Sequence, residues 1–250
     1  IEGWEWCITH QNDDPLNPIM IISTSFGGGR YFNTCDSDSP AMTSVAANAE
    51  TSGITIFVSS GNDGFCDSIG WPACISNVVS VGAVYDASFG NASFCISEDT
   101  CAQKYPTEQC TSGWYATDST QADVVTSYSN TASILGVFAP SNNTYTTDIV
   151  GSNGYSSGNY VDKFGGTSAA CPYAAGAAAC LQNAAKEING SFLSPMEIRS
   201  ILMSTGDPVT DGKVAITKPR VNLLSAVNFL VGPPIAGFSV PHKEICMVNN

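Results

Sequence analysis

Between Phe164 and Gly176 the chain reads Phe-Gly-Gly-Thr-Ser-Ala-Ala-Cys-Pro-Tyr-Ala-Ala-Gly, and the residues after Ser168 are almost all Ala, Gly or Cys. A helix made of such residues carries little side-chain bulk, so it suits a place where it packs against a sheet with little clearance. Pro172 is expected in its first turn, where a missing N–H costs nothing. Ahead of the helix, Gly165, Gly166 and Thr167 bring the backbone close to any ligand. The unpaired N–H groups of the first turn then point at whatever Ser168 would attack. Ser168 is therefore a candidate nucleophile in a site that favours negative charge on a substrate oxygen. The plainer alternative is a buried small-residue helix that begins with a serine cap.

Apolar runs and helix signals alternate along the rest of the chain. Residues 18–26 form a continuous apolar stretch that ends in Gly27, Gly28 and Gly29, and residues 54–59 form a second one that ends in Gly61-Asn62-Asp63-Gly64. Residues 78–84 and 134–139 read as further buried strands. Ser39-Pro40 opens a helix closed by Gly53, Ser194 and Glu197 have capping-box spacing, and Asn222 is positioned to cap a last short helix. Alternation of this kind predicts an α/β fold, a mostly parallel sheet covered by helices on both faces. Functional groups in such sheets gather at the carboxyl ends of the strands, so the Gly-rich segments should converge on one crevice.

A chain of 250 residues can form one large α/β domain. Its net charge of −13 argues against nucleic acid, whose phosphates would be repelled, and leaves no basic patch for anionic lipid. No apolar run reaches the length of a membrane span, so no membrane insertion is expected. Ten cysteines without Cys-x-x-Cys spacing, and two distant histidines, His10 and His242, favour disulfides over zinc. Acceptor sequons at Asn91, Asn142 and Asn189 agree with secretion, to the extracellular space or otherwise into the secretory or lysosomal lumen. Cys95, Cys101 and Cys110 lie in a polar, turn-rich segment that reads as a stapled surface insertion over about 86–127 without helical or strand period. Cys171 and Cys180, nine apart on the small-residue helix, are separated by about 13 Å of rise and are expected to be buried small residues, not partners. Residues 231–250 are Pro-rich and read as a tail or the start of a further module, and both ends of the chain are expected to be incomplete.

Asn62 follows the strand Thr-Ile-Phe-Val-Ser-Ser, where its carboxamide could donate toward a developing oxyanion; the alternative is an ordinary Asn-Asp-Gly turn. Ser-Ser-Gly-Asn62-Asp-Gly followed by Gly-Gly-Thr-Ser168-Ala-Ala-Cys-Pro resembles the subtilase family of subtilisin-like serine peptidases. Residues 22–28, 79–84, 127–130, 137–140, 202–207 and 219–222 extend the resemblance over most of 1–230, as the closing part of a catalytic domain with the subtilisin-like three-layer fold. The resemblance implies that Ser168 is the acylating nucleophile and that Asn62 and the N–H of Ser168 form the oxyanion hole. It also implies that Ser25, Phe26, Gly27 and Gly28, with Ser59, Ser60 and Gly61, flank an extended peptide substrate through exposed backbone groups. The family needs no cofactor for its chemistry and admits structural calcium, although no Asp-x-Asp-x-Asp-Gly loop is present.

The departure is the general base. The family's Asp and His should precede the strand at 18–26, yet that region offers only His10, Asp13 and Asp14 outside any His-Gly-Thr-His run. His10 lies in a polar segment, and His242 falls beyond the matched region. Two expectations follow: an endopeptidase whose Asp and His come from an upstream fragment of the same precursor, or a catalytically inactive relative serving as a binding or structural module. The related serine-carboxyl peptidases place an acid where subtilases place the oxyanion Asn, and a one-residue slip would give Asp63 that role.

Overall fold

The computed structural model describes residues 1–103 and 108–232. Nearly all of the expected tail, with His242, lies outside them. At the centre is a six-stranded sheet of β1 (Ile21–Thr24), β3 (Thr55–Ser59), β5 (Val79–Tyr85), β9 (Val137–Ser141), β13 (Ile216–Arg220) and β12 (Asp207–Asp211), in the order β1-β3-β5-β9-β13-β12. All neighbours run parallel except β12, which pairs antiparallel with β13. Smaller antiparallel pieces surround it: β2 (Gly28–Tyr31) with β4 (Ile69–Trp71), β10 (Thr144–Thr147) with β11 (Tyr160–Phe164), and β6 (Asn91–Ser97), β8 (Gly113–Ser119) and β7 (Gln109–Cys110) in that order. The helices are α1 (Glu2–Thr9), α2 (Pro40–Thr51), α3 (Thr167–Asn189), α4 (Pro195–Thr205) and α5 (Leu223–Val231).

Every residue of β3 and β5 is buried, which explains why their sequences show continuous apolar runs instead of alternation. Successive side chains still point to opposite faces. Phe57, Val79, Val81, Ala83, Val137 and Ala139 meet α3 on one side, whereas Ile56, Val58, Val84 and Phe138 share a cluster with Met42, Val45, Ala46 and Ala49 of α2 on the other. The result is a three-layer α/β sandwich. Gly82 is required inside β5, because a Cβ there would fall 2.7 Å from the Phe138 ring that fills the second layer. On α3, Ala170, Cys171, Ala174, Ala178, Leu181 and Ala185 are fully buried, so the helix axis can come close to the strands.

The expected caps on α4 and α5 are present: Ser194 and Glu197 form a capping box, and Asn222 accepts the Ser225 N–H at 3.0 Å. Ser39 occupies the N-cap of α2 without a side-chain capping bond. Three further expectations need correction. Pro172 sits in the second turn of α3, not the first. Residues 207–211 and 216–220, not expected to be strands, form the β12–β13 hairpin at one edge of the sheet. The insertion contains a regular antiparallel sheet, in which Ala92, Phe94 and Ile96 alternate with polar residues along β6. Three disulfides, Cys35–Cys74, Cys66–Cys101 and Cys95–Cys110, tie the periphery together.

The tight approach of α3 leaves no room for bulk. Replacing Ala178 with Leu is expected to destabilise the fold by about 1–3 kcal/mol through overpacking. A lower denaturation midpoint at unchanged slope in urea would show it, and an unchanged midpoint would contradict the close contact.

Candidate active site

The carboxyl ends of β1 and β3 and the amino end of α3 meet at one place. The Ser25 hydroxyl donates to the Ser168 carbonyl at 3.0 Å, and the Ser168 hydroxyl makes a long 3.4 Å contact to the Ser25 carbonyl. Just beyond β3, the Gly61 N–H donates to the Thr167 hydroxyl at 3.2 Å. Ser25, Phe26, Gly27 and Gly28 are exposed there, Ser168 is half-buried, and the floor is closed by the β2–β4 pair through the Gly70 N–H bond to the Ser60 carbonyl at 2.8 Å. Ser59 and Ser60 are buried in the wall, and the backbone of Ser60 is engaged within the protein: its N–H donates to the Val81 carbonyl at 2.9 Å and its carbonyl accepts from both the Gly70 N–H and the Asn130 carboxamide. Ser60, expected beside the substrate, therefore presents no free backbone group.

Asn62 is anchored from the amino end of α3. Its Oδ1 accepts both the Thr167 N–H at 2.8 Å and the Thr167 hydroxyl at 3.0 Å. Because the acceptor end is doubly occupied, the carboxamide cannot flip without losing both bonds. Its Nδ2 makes no hydrogen bond among the described residues and faces Gly166, where a Cβ would lie 3.2 Å away. Gly166 also has φ of 80°, so glycine is required there on both grounds. Asp63 is turned elsewhere: its carboxylate accepts from the Asn130 carboxamide at 3.1 Å. The residue facing Gly166 and Thr167 is thus the amide and not the acid.

The helix itself prepares Ser168. Its N–H belongs to the first turn, which no helical carbonyl can satisfy, and the amino end of α3 carries partial positive charge. Its carbonyl would ordinarily bond the N–H of residue 172, but Pro172 has none, and Ser25 takes that acceptor instead. Among the described residues no histidine reaches Ser168. The His10 ring bonds the Trp6 carbonyl at 2.9 Å and stacks on Trp6 at 4.3 Å.

Two side chains that support the site, Ser141 and Tyr128, were not singled out as site residues from sequence. Ser141 donates to the Gly166 carbonyl at 2.7 Å, and the Tyr128 hydroxyl donates to Asn142 at 3.0 Å. Burial pushes the Tyr128 phenol up, so it stays neutral and donates, although its bonds to Ser141 and its neighbours pull the other way. Asn142 is the middle sequon; its Oδ1 end lies against Gly165 and its Nδ2 is buried without a partner, so the acceptor nitrogen is closed off in the folded chain. Asn91 and Asn189 are exposed. Along the β10–β11 hairpin that leads into Ser168 lies a cavity of about 730 Å³ lined by Ile149, Tyr155, Val161 and Phe164. No cluster of three or more His, Cys, Asp or Glu suited to a metal ion occurs among the described residues.

The model of the Subtilase family matches residues 1–222. A Subtilisin-like protease 2 of Pseudogymnoascus destructans is 30% identical over 205 residues, covering 82% of this chain and 37% of that protein. The Extracellular basic protease of Dichelobacter nodosus is 28% identical over 192 residues, 77% of this chain and 25% of the relative. The chain therefore spans only a quarter to under two fifths of these relatives' length. Among solved structures, the Prenylagaramide maturation protease PagA superposes with a TM-score of 0.60 at 18% identity, over 91% of this chain and 66% of that one, a likeness of fold.

One nucleophilic side chain near Ser168 stays outside the cleft. Cys171 is fully buried, and burial pushes its thiol up, despite hydrogen bonds to Ser23 and Thr24 that pull it down. A raised thiol pKa means less thiolate at any given pH below it, so at about pH 8 iodoacetamide is expected to alkylate the half-buried Cys7 well before Cys171. Time-resolved peptide mass spectrometry reads the order, and equal rates would contradict the burial.

Proposed function

Since the chain belongs to the subtilase family, we propose that it is the nucleophile-bearing part of a serine endopeptidase. Ser168 attacks the scissile carbonyl and forms the acyl-enzyme, and the Asn62 Nδ2 and the Ser168 N–H hold the resulting oxyanion. The observation that carries this reading is the pair of bonds from Thr167 to the Asn62 Oδ1. They hold the acceptor end of the amide and leave its donor end unbonded beside Gly166, two residues before Ser168, an arrangement that an Asn-Asp-Gly turn has no need of. The substrate is an extended polypeptide, paired along Ser25, Phe26, Gly27 and Gly28, with Ser59, Ser60 and Gly61 forming the wall opposite and Gly166 and Thr167 beneath the reacting bond.

The general base comes from elsewhere in the same precursor. β1 is an edge of the sheet among the described residues, paired only with β3, and Ser23, Ser25 and Phe26 beside it are exposed. A further parallel strand added to that edge would end at the same rim as Ser25 and Asn62, where Asp and His are needed. Secretion is supported by the three disulfides and by the relatives named as extracellular proteases. Among the described residues no helix is long and apolar enough to cross a membrane. Asn91 and Asn189 are the acceptors open to glycosylation. The chemistry requires no cofactor, and any calcium would be structural.

In the complete polypeptide a fluorophosphonate probe is expected to label Ser168, and Ser168→Ala to lose both label and hydrolysis. Asn62→Ala should lower kcat by about 100- to 1,000-fold with KM little changed, the loss known for the corresponding donor of subtilisin itself. If complete, folded material takes no label, the chain serves instead as an inactive binding module.

A further inference from the structure

The segment after Asn62 is held mainly from outside the sheet. The Thr100 hydroxyl donates to the Gly64 carbonyl at 2.6 Å and accepts the Ala102 N–H at 3.0 Å. The Ser97 N–H donates to the Asp63 carbonyl at 3.0 Å. The Cys66–Cys101 disulfide fixes the same segment two residues further on. All three fasteners belong to the Cys-rich insertion, at the end of β6 and just beyond it. From the opposite side, Asn130 is fully buried and spans the turn with both ends of its carboxamide: Oδ1 accepts the Asp63 and Phe65 N–H groups at 3.0 Å each, and Nδ2 donates to the Ser60 carbonyl at 3.2 Å. Gly64, with φ of 70°, lies between the two grips, where a Cβ would be 2.7 Å from the Ser127 carbonyl and 2.8 Å from the Thr100 hydroxyl.

We propose that the insertion is a clamp on the oxyanion loop, with Thr100 as a positioning residue that acts on catalysis through Asn62. The proposal rests on the peptidase reading above. Asn62 is itself exposed and touches the protein chiefly through Thr167, so its aim depends on where the backbone of residues 61–66 is held. Preorganised donors stabilise a transition state because they do not have to move when charge appears, and an unclamped loop gives up part of that benefit. An oxyanion donor acts on the transition state, so loosening it lowers kcat and spares KM.

The test is a double-mutant cycle in the complete polypeptide, with kcat and KM measured on a peptide substrate. Thr100→Val, close in shape but without the hydroxyl, is expected to lower kcat up to about tenfold at unchanged KM. Thr100→Ser should restore it. In an Asn62→Ala background the same Thr100→Val change should cost nothing further, because the group it positions has gone. If Thr100→Val does not fold, the paired change of Cys66 and Cys101 to Ser releases the same segment and is read in the same cycle. Equal losses in the two backgrounds, or a rise in KM with kcat intact, would overturn the clamp while leaving the peptidase reading in place. Full activity of Asn62→Ala would overturn both.

Discussion

Ser168 is positioned by the contact of α3 with four parallel strands. That contact exists because the helix presents Ala170, Ala174, Ala178 and Cys171 where an ordinary amphipathic helix would present Leu or Phe. Bulk is supplied from the sheet instead, by Phe57, Val79, Val81 and Val137. The exchange of large for small across the interface lets the first turn of α3 reach the rim where β1 and β3 end. With larger side chains on α3, the helix would stand farther from the sheet and Thr167 would not reach Asn62. Close packing and site geometry are thus one constraint seen at two ends of the same helix.

The neighbourhood of the site is unusually polar for a buried region. Tyr128, Ser129, Asn130 and Ser141 are all buried, and each has hydrogen-bonding partners: Ser129 serves the Ala83 N–H, Ser141 the Gly166 carbonyl, and Asn130 the whole turn from Ser60 to Phe65. Buried polar groups satisfied in this way rigidify the loops they join, and losing one partner leaves a desolvated atom behind. The loops of this cleft are short and glycine-rich, and on their own they would be mobile. Their order comes from side chains contributed by segments distant in sequence.

The central strands, the principal helices and the two segments that meet at the cleft were legible because each has a local signature: continuous apolar runs in β3 and β5, caps at Ser194 and Asn222, and glycines around Ser168. Pro172 was misplaced by a turn, since a proline after Ala-Ala-Cys reads as a helix start when in fact the helix begins at Thr167. The alternation Ala92, Phe94, Ile96 in β6 was present in the sequence but was masked by the polar residues and cysteines between them. β12 and β13 were missed because Pro208 and Pro219 discourage a strand reading; Pro208 lies on the edge strand β12, and Pro219 precedes Arg220, the one residue of β13 that pairs with β9. Asn130 and Thr100 could not have been found locally. Their role is set by partners 30 to 70 residues away, and nothing in a lone Asn or Thr announces a clamp.

Asn142 sits at φ of 71° with its amide nitrogen buried and its amide oxygen against the segment that leads into Ser168. A sugar could be attached there only while the chain is still open, and once attached it would keep Ser141 and Gly166 from coming together. The folded cleft and a modified Asn142 are thus mutually exclusive states of one chain.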